Sequence, residues 1–337
     1  AVFPWLGMGV DEVEKLSAIL VIGSHLRHEV PMLAHRVRKA AVAGAKVSFV
    51  NMLAYEYLFP VANYAHSSDL VDGLCRIVKA ASGSADQLSP AVAELVKDAA
   101  KPEAAHAEMA ASLQGGAAIF LGQISMRHPR FSELRLLAAE LARLTGAAVG
   151  YLPEGANAAG LSQAGVLPHR RSGGESIADP GATVADICDR PPRGLFLLGV
   201  EPELDCASGA KVVAAMEQAD FVVALSSFFA DSLTRHADVI LPMGTFAETS
   251  GTFVNAAGEW QSFEGVAQSV EQSRPAWKIL RVLGNLLGLP DCDYESSEAI
   301  RDELKRCVAD VKPDNALALD AAPVGKPSGT AAADELD

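Results

Sequence analysis

Three times along this chain a short apolar run ends on a glycine, passes into a helical pattern and returns as a second apolar run. Residues 17–23 (SAILVIG) lead into a helix pattern over 29–43, stopped by Gly44, and a strand over 46–50. Residues 117–122 (AAIFLG) lead into a helix over 131–145, stopped by Gly146, and a strand over 147–152. Residues 194–199 (GLFLLG) lead into a helix over 209–218 and a strand over 221–225. A short helix over 231–236 and a further strand over 237–241 follow, with Pro242 ending the run because proline cannot donate to a sheet ladder. Strands with branched and aromatic residues on both faces are those of parallel sheets covered by helices. Each unit therefore predicts a βαβ element with a right-handed crossover. The fold class expected is α/β: mostly parallel sheets with helices on both faces, in two lobes.

The first lobe is expected to cover residues 1–146, with an Ala-rich helical insertion at about 53–113. The second is expected to cover 147–310 and to end in helices over 276–287 and 296–309. Residues 166–192 are dense in Gly, Pro, Arg and Ser and read as a surface loop. Residues 311–337 read as a flexible tail, dispensable for folding, with too few large apolar residues to offset the cost of ordering them. The chain begins Ala1-Val2-Phe3 and reads as a fragment or a processed product.

In an open α/β sheet, ligands bind beyond the carboxyl ends of the strands. That places candidate site residues at the strand-end glycines Gly23, Gly122 and Gly199, and in the polar stretch over 245–258 with Glu248, Asn255 and Gly258. The four strand ends are expected to face a common crevice. None of the glycines continues as G-x-G-x-x-G, so a nicotinamide site is a weak reading. A net charge of −14 argues against nucleic acid as a partner. No run approaches the ~20 apolar residues of a membrane span, so no direct membrane insertion is expected.

Other chemistry-bearing residues have plainer readings. Cys75, Cys188, Cys206, Cys292 and Cys307 are scattered, without a C-x-x-C spacing, and read as thiols rather than cluster or zinc ligands. His25, His28 and His35 lack ligand spacing and read as hydrogen-bonding or solvated side chains. Ser226 and Ser227 have no G-x-S-x-G context and read as loop or helix-entry residues. Asp238 and Glu248 read as structural carboxylates rather than an acid–base pair. Arg170, Arg171, Arg190 and Arg193 read as solvated loop charge on an acidic chain.

The series A-D-V-I-L-P over 237–242, then E-x-x-G-T-x-x-N-x-x-G-E over 248–259, resembles the molybdopterin oxidoreductase superfamily. Residues 154–160 (EGANAAG), with Asn157, resemble its G-x-N-x-x-G loop, and Gly199-Val200-Glu201-Pro202 is similar to its G-x-N-P or G-x-D-P turn. Residues 21–39 and the wording around 219–263 look most like one branch, the large iron–sulfur subunits of respiratory NADH:quinone oxidoreductase (complex I). Arg27, Glu29, Pro31, Arg36 and Arg38 carry much of that likeness. Relatives that hold the pterin commonly place an arginine after the last glycine, where this chain has Glu259. A carboxylate cannot donate to a pyrophosphate as arginine does, and Glu201 and Glu248 add further negative charge.

The resemblance implies a structural, non-catalytic segment with no cofactor and no metal of its own. Gly23, Gly122, Asn157, Gly199, Glu248 and Asn255 would then line a vestigial crevice. The parent enzyme would pass electrons from NADH through 2Fe-2S and 4Fe-4S clusters, carried outside these residues, to quinone. Partners would be other subunits of the complex I peripheral arm, on the cytoplasmic side of the inner membrane. The alternative is a working pterin- or nucleotide-binding half of a soluble molybdenum oxidoreductase.

Overall fold

The computed structural model describes residues 3–317. Residues 3–156, joined by 313–317, form one compact unit, and Asn157–Lys312 form a second.

The first unit is built on five parallel strands in the order β3-β2-β1-β4-β5. They are β1 (Ala18–Ile22), β2 (Lys46–Asn51), β3 (Asn63–His66), β4 (Ala117–Leu121) and β5 (Ala148–Tyr151). β1 and β4 are buried along their whole length, as their unbroken apolar runs require. The helices Leu70–Ser82 and Phe131–Thr145 close one face, packing Leu74, Ile77 and Val78 with Leu134, Leu137 and Leu141 onto Leu20, Ile22, Ile119 and Leu121. Burying each such side chain contributes about 1.5–3 kcal/mol. The helix Pro31–Val42 buries Leu33, Ala34 and Val37 in turn. Gly146 ends its helix in the left-handed conformation (φ 76°), donating to Ala142 O at 2.7 Å, as a helix-stopping glycine should.

The division between the units falls after Ala156 rather than after 146. β5 pairs in register with β4, so the second βαβ unit returns to the sheet it started from. The stretch at 53–113 is not wholly helical either. It opens with a coil and with β3, the edge strand on β2, before the helices Leu70–Ser82, Pro90–Lys97 and Ala104–Ser112. The described part of the expected tail returns to the first unit. Asn315 is buried there and its Nδ2 donates to Trp5 O (2.9 Å) and Val149 O (2.8 Å). The rest of that tail, 318–337, lies outside the described residues.

The second unit holds a three-stranded parallel sheet, β6 (Gly194–Leu198), β7 (Phe221–Ser226) and β8 (Val239–Pro242), in that order. The helices Gly209–Gln218 and Asp231–His236 connect them, and Met216 and Leu233 pack together on Val222 and Ala224. Pro242 occupies the last position of β8, opposite Ser226. The polar stretch beyond it is no open loop: Gly251–Val254 (β9) and Trp260–Phe263 (β10) pair as an antiparallel hairpin. All five cysteines are free thiols, and burial pushes Cys75 up to about 12. Among the described residues no helix is long and apolar enough to cross a membrane.

Candidate functional site

The chain builds β1, β2 and β3 outward on one side, then β4 and β5 on the other, so the strand order reverses between β1 and β4. Such a switch point is where doubly wound sheets take their ligands. Gly23 and Gly122 stand there at the ends of these adjacent strands. Gly23 N donates to Val50 O and Gly122 N to Ile22 O, both at 2.9 Å.

Both glycines are used by the chain itself. A Cβ on Gly122 would lie 2.2 Å from Ser24 Cβ, and one on Gly23 would lie 2.4 Å from Ser125 Oγ. The loops after β1 and β4 therefore interlock, and the absence of a side chain admits a neighbouring loop. Ser125 Oγ donates to Ile22 O at 2.7 Å and ties the two strand ends together.

Glu29 lies at the centre of this junction. Its Oε1 accepts from His25 N (2.6 Å), and its Oε2 accepts from Ser24 Oγ (2.7 Å) and Gln123 N (3.0 Å). Backbone N–H groups at a strand-to-helix turn are the donors that hold phosphate in nucleotide-binding sheets. Here a carboxylate of the same chain takes them. Asn51, fully buried, holds the loop from behind: its Oδ1 accepts from Ser24 N (2.8 Å) and its Nδ2 donates to Ser24 O (2.9 Å). His25 stacks flat on Tyr55 at 4.0 Å and sits 4.3 Å from His28. Burial, then the neighbouring His28, push His25 below its ordinary value. Phe49, Tyr57 and Tyr64 stack beside it, and burial drives the Tyr57 hydroxyl upward.

The candidates of the second unit are equally committed. Asn157 Oδ1 accepts from Val254 N at 2.8 Å and so holds β9. A Cβ at Gly160 would lie 2.1 Å from that oxygen, which explains the glycine three residues on. Asn255 makes the hairpin turn: Oδ1 accepts from Ala257 N and Glu259 N, both at 3.0 Å, and Nδ2 donates to Glu259 Oε2 at 2.9 Å. Thus Glu259 braces the turn. Glu248 accepts from Thr245 N (2.7 Å), Thr245 Oγ1 (2.9 Å) and Val270 N (3.0 Å). The Thr245 backbone and hydroxyl bonds hold its carboxyl below the usual range. Gly199 has φ 62° and is approached by Met243 Cε, 3.0 Å from where a Cβ would stand. Glu201 N donates to Asp205 Oδ2 at 2.7 Å.

The structure brings Gly23 and Gly122 together in one unit, and Asn157 and Asn255 to one hairpin in the other, with Glu248 on the turn that precedes it. Asp238 accepts from Val222 N (2.7 Å) and is a strand-to-strand tie. Ser226 Oγ donates to Phe228 O in a turn. Arg193 pairs with Asp220 at 2.8 Å and Arg170 donates to Gly174 O. Among the described residues, no group of three or more His, Cys, Asp and Glu side chains is arranged around a common metal position. The roles of Ser24, Glu29 and Asn51 were missed in the sequence. The one signal was a serine and a glutamate straddling the strand-to-helix turn.

Comparison with known proteins gives this geometry its context. The chain matches the molybdopterin oxidoreductase family over residues 4–286. It is 28% identical over 330 residues to the G-type subunit of NADH-quinone oxidoreductase from Streptomyces coelicolor, an alignment covering 88% of this chain and 36% of that protein. The chain thus spans about a third of that relative's length. A putative formate dehydrogenase of Staphylococcus aureus is 32% identical over 123 residues, 36% of this chain and 12% of that one. In structure the chain is similar to acetylene hydratase from Pelobacter acetylenicus, with a TM-score of 0.61 at 13% identity over 86% of this chain and 51% of the other. With residues 4–286 matched and the parallel α/β architecture shared, the chain belongs to the molybdopterin oxidoreductase family.

Proposed function

We propose that this chain is a cofactor-free structural segment of a respiratory NADH:quinone oxidoreductase, keeping the fold of its family without the family's cofactor. The observation that carries this reading is Glu29. At the switch point of the first sheet, the donors that could meet an anionic group already bond a carboxylate. An incoming pyrophosphate would have to expel Glu29 or accept like-charge repulsion against it. In the second unit, Asn157 and Asn255 spend polar atoms on the hairpin, and Glu248 spends its carboxylate on Thr245 and Val270 N. Glu259 stands where pterin-holding relatives present an arginine. These residues do not fit the pterin, and no chemical step is assigned to them.

In this reading electrons from NADH travel to quinone through 2Fe-2S and 4Fe-4S clusters held outside these residues. The segment packs against other subunits of the peripheral arm, on the cytoplasmic side of the membrane. The similarity to the Streptomyces protein over 88% of the chain supports it. The match to a putative formate dehydrogenase favours the second reading, a pterin-binding half of a molybdenum enzyme. Elemental analysis of protein purified from cells that make molybdopterin separates them. Molybdenum far below one per chain is expected, and near-stoichiometric molybdenum would promote the second reading.

A further inference from the structure

The second sheet carries an interaction surface. Its strands follow one another in space as in sequence, β6-β7-β8, and the helices Gly209–Gln218 and Asp231–His236 both pack on one face. This follows from handedness: two successive right-handed crossovers in the same direction place both helices on the same side. On that side Leu195, Leu197, Val222, Ala224 and Ile240 are covered. The alternate residues form the other face, and they are apolar too. Leu225 is fully buried at the carboxyl end of this face, whereas Phe196 is 48% exposed, Leu198 46%, Phe221 50% and Val239 38%.

We propose that this face docks an amphipathic α-helix with an aliphatic stripe and Lys or Arg along its flanks. Parallel sheets are stable when both faces are covered, and the layer that covers them is helical. Apolar alternation on both faces of β6 and β7 is the pattern of a doubly covered sheet, here covered on one side by its own crossovers. Charge selects among occupants. Residues 157–312 carry 22 Asp and Glu against 13 Lys and Arg. A second copy of this unit or an anionic bilayer would meet like charge, whereas a basic-flanked helix meets its complement. The inference rests on topology and exposure and holds whatever becomes of the cofactor question.

The test is fluorescence anisotropy with a labelled helical peptide of about 18 residues, five turns, bearing Leu at i, i+3, i+4 and i+7 and Lys elsewhere. The full chain should bind it, and a Glu-for-Lys version should bind at least about tenfold more weakly. Phe196→Gln with Phe221→Gln should weaken binding about tenfold, because it removes apolar area without altering charge. Met32→Glu, an exposed site in the first unit, should leave binding unchanged. If the double variant does not fold, Phe196→Gln alone is read in the same assay. Equal binding by the wild-type and Phe196 variants would overturn the proposal. So would a dimer in sedimentation that Phe196→Gln dissolves, since the face would then belong to a second copy.

Discussion

Glu29 does at residue scale what a bound anion does elsewhere, and its removal tests how much the first unit depends on it. Glu29→Ala leaves the Ser24 hydroxyl and the His25 and Gln123 N–H groups without their acceptor at a partly buried site. Hydrogen bonds to a charged group are worth roughly 1.5–3 kcal/mol each, and water will recover part of that. A net loss of about 2–3 kcal/mol is expected in urea unfolding monitored by circular dichroism. A loss under about 0.5 kcal/mol, the range of an ordinary surface change, would mean that the junction holds without the carboxylate. The residue-scale role was illegible in the sequence because it joins positions far apart: Gln123 lies 94 residues from Glu29. By contrast, the stop at Gly146 was legible, because its left-handed conformation is a local demand that glycine meets at no steric cost.

Among the elements, long apolar strands and stopped helices could be read directly, since period and punctuation are local. Two elements could not. β3 offers Asn63-Tyr64-Ala65-His66, in which only Ala65 is buried, so its pairing to β2 leaves little hydrophobic trace. The hairpin of β9 and β10 was hidden because its Gly, Asn and Glu residues, which build a tight turn, are also those of a ligand loop. Asn157 and Asn255, read as crevice candidates, brace that hairpin. Glu140 shows a further tie between elements. It is fully buried on the helix Phe131–Thr145, accepts Ser89 N at 2.8 Å and pairs with Arg143. Burial pushes its carboxyl up, but the Arg143 and Ser89 bonds outweigh that and hold it below its ordinary value. A carboxyl lowered by folding contributes stability above its unfolded value of about 4.3 and loses it as pH falls through the folded value. Urea midpoints measured from neutral pH downward should therefore fall below about pH 4.3, and Glu140→Gln should flatten that fall. Parallel acid curves for the two proteins would mean that the Glu140 carboxylate does not contribute to acid stability.

For the whole molecule, the division into units corrects the boundary read from the sequence. A strand predicted for the second lobe belongs to the first sheet, because its crossover returns to β4. The segment after the second unit also returns to the first. Asn315 is placed to close it: Nδ2 bonds Trp5 O and Val149 O, tying the start of the chain and β5 to a residue 310 positions beyond Trp5. Asn315→Ala should cost about 1–3 kcal/mol by removing both hydrogen bonds of a buried side chain, read as a drop in thermal midpoint. A midpoint unchanged from wild type would mean that the Asn315 bonds add nothing to the stability of the first unit.

Glu29 fills the anion position at the switch point from within the chain. Calorimetric titration of the purified protein with pyrophosphate tests it most directly, with Glu29→Ala measured alongside. No binding by the wild-type chain is expected at millimolar pyrophosphate, a threshold of about −4 kcal/mol. Micromolar binding with Glu29 in place, unaffected by its removal, would contradict it.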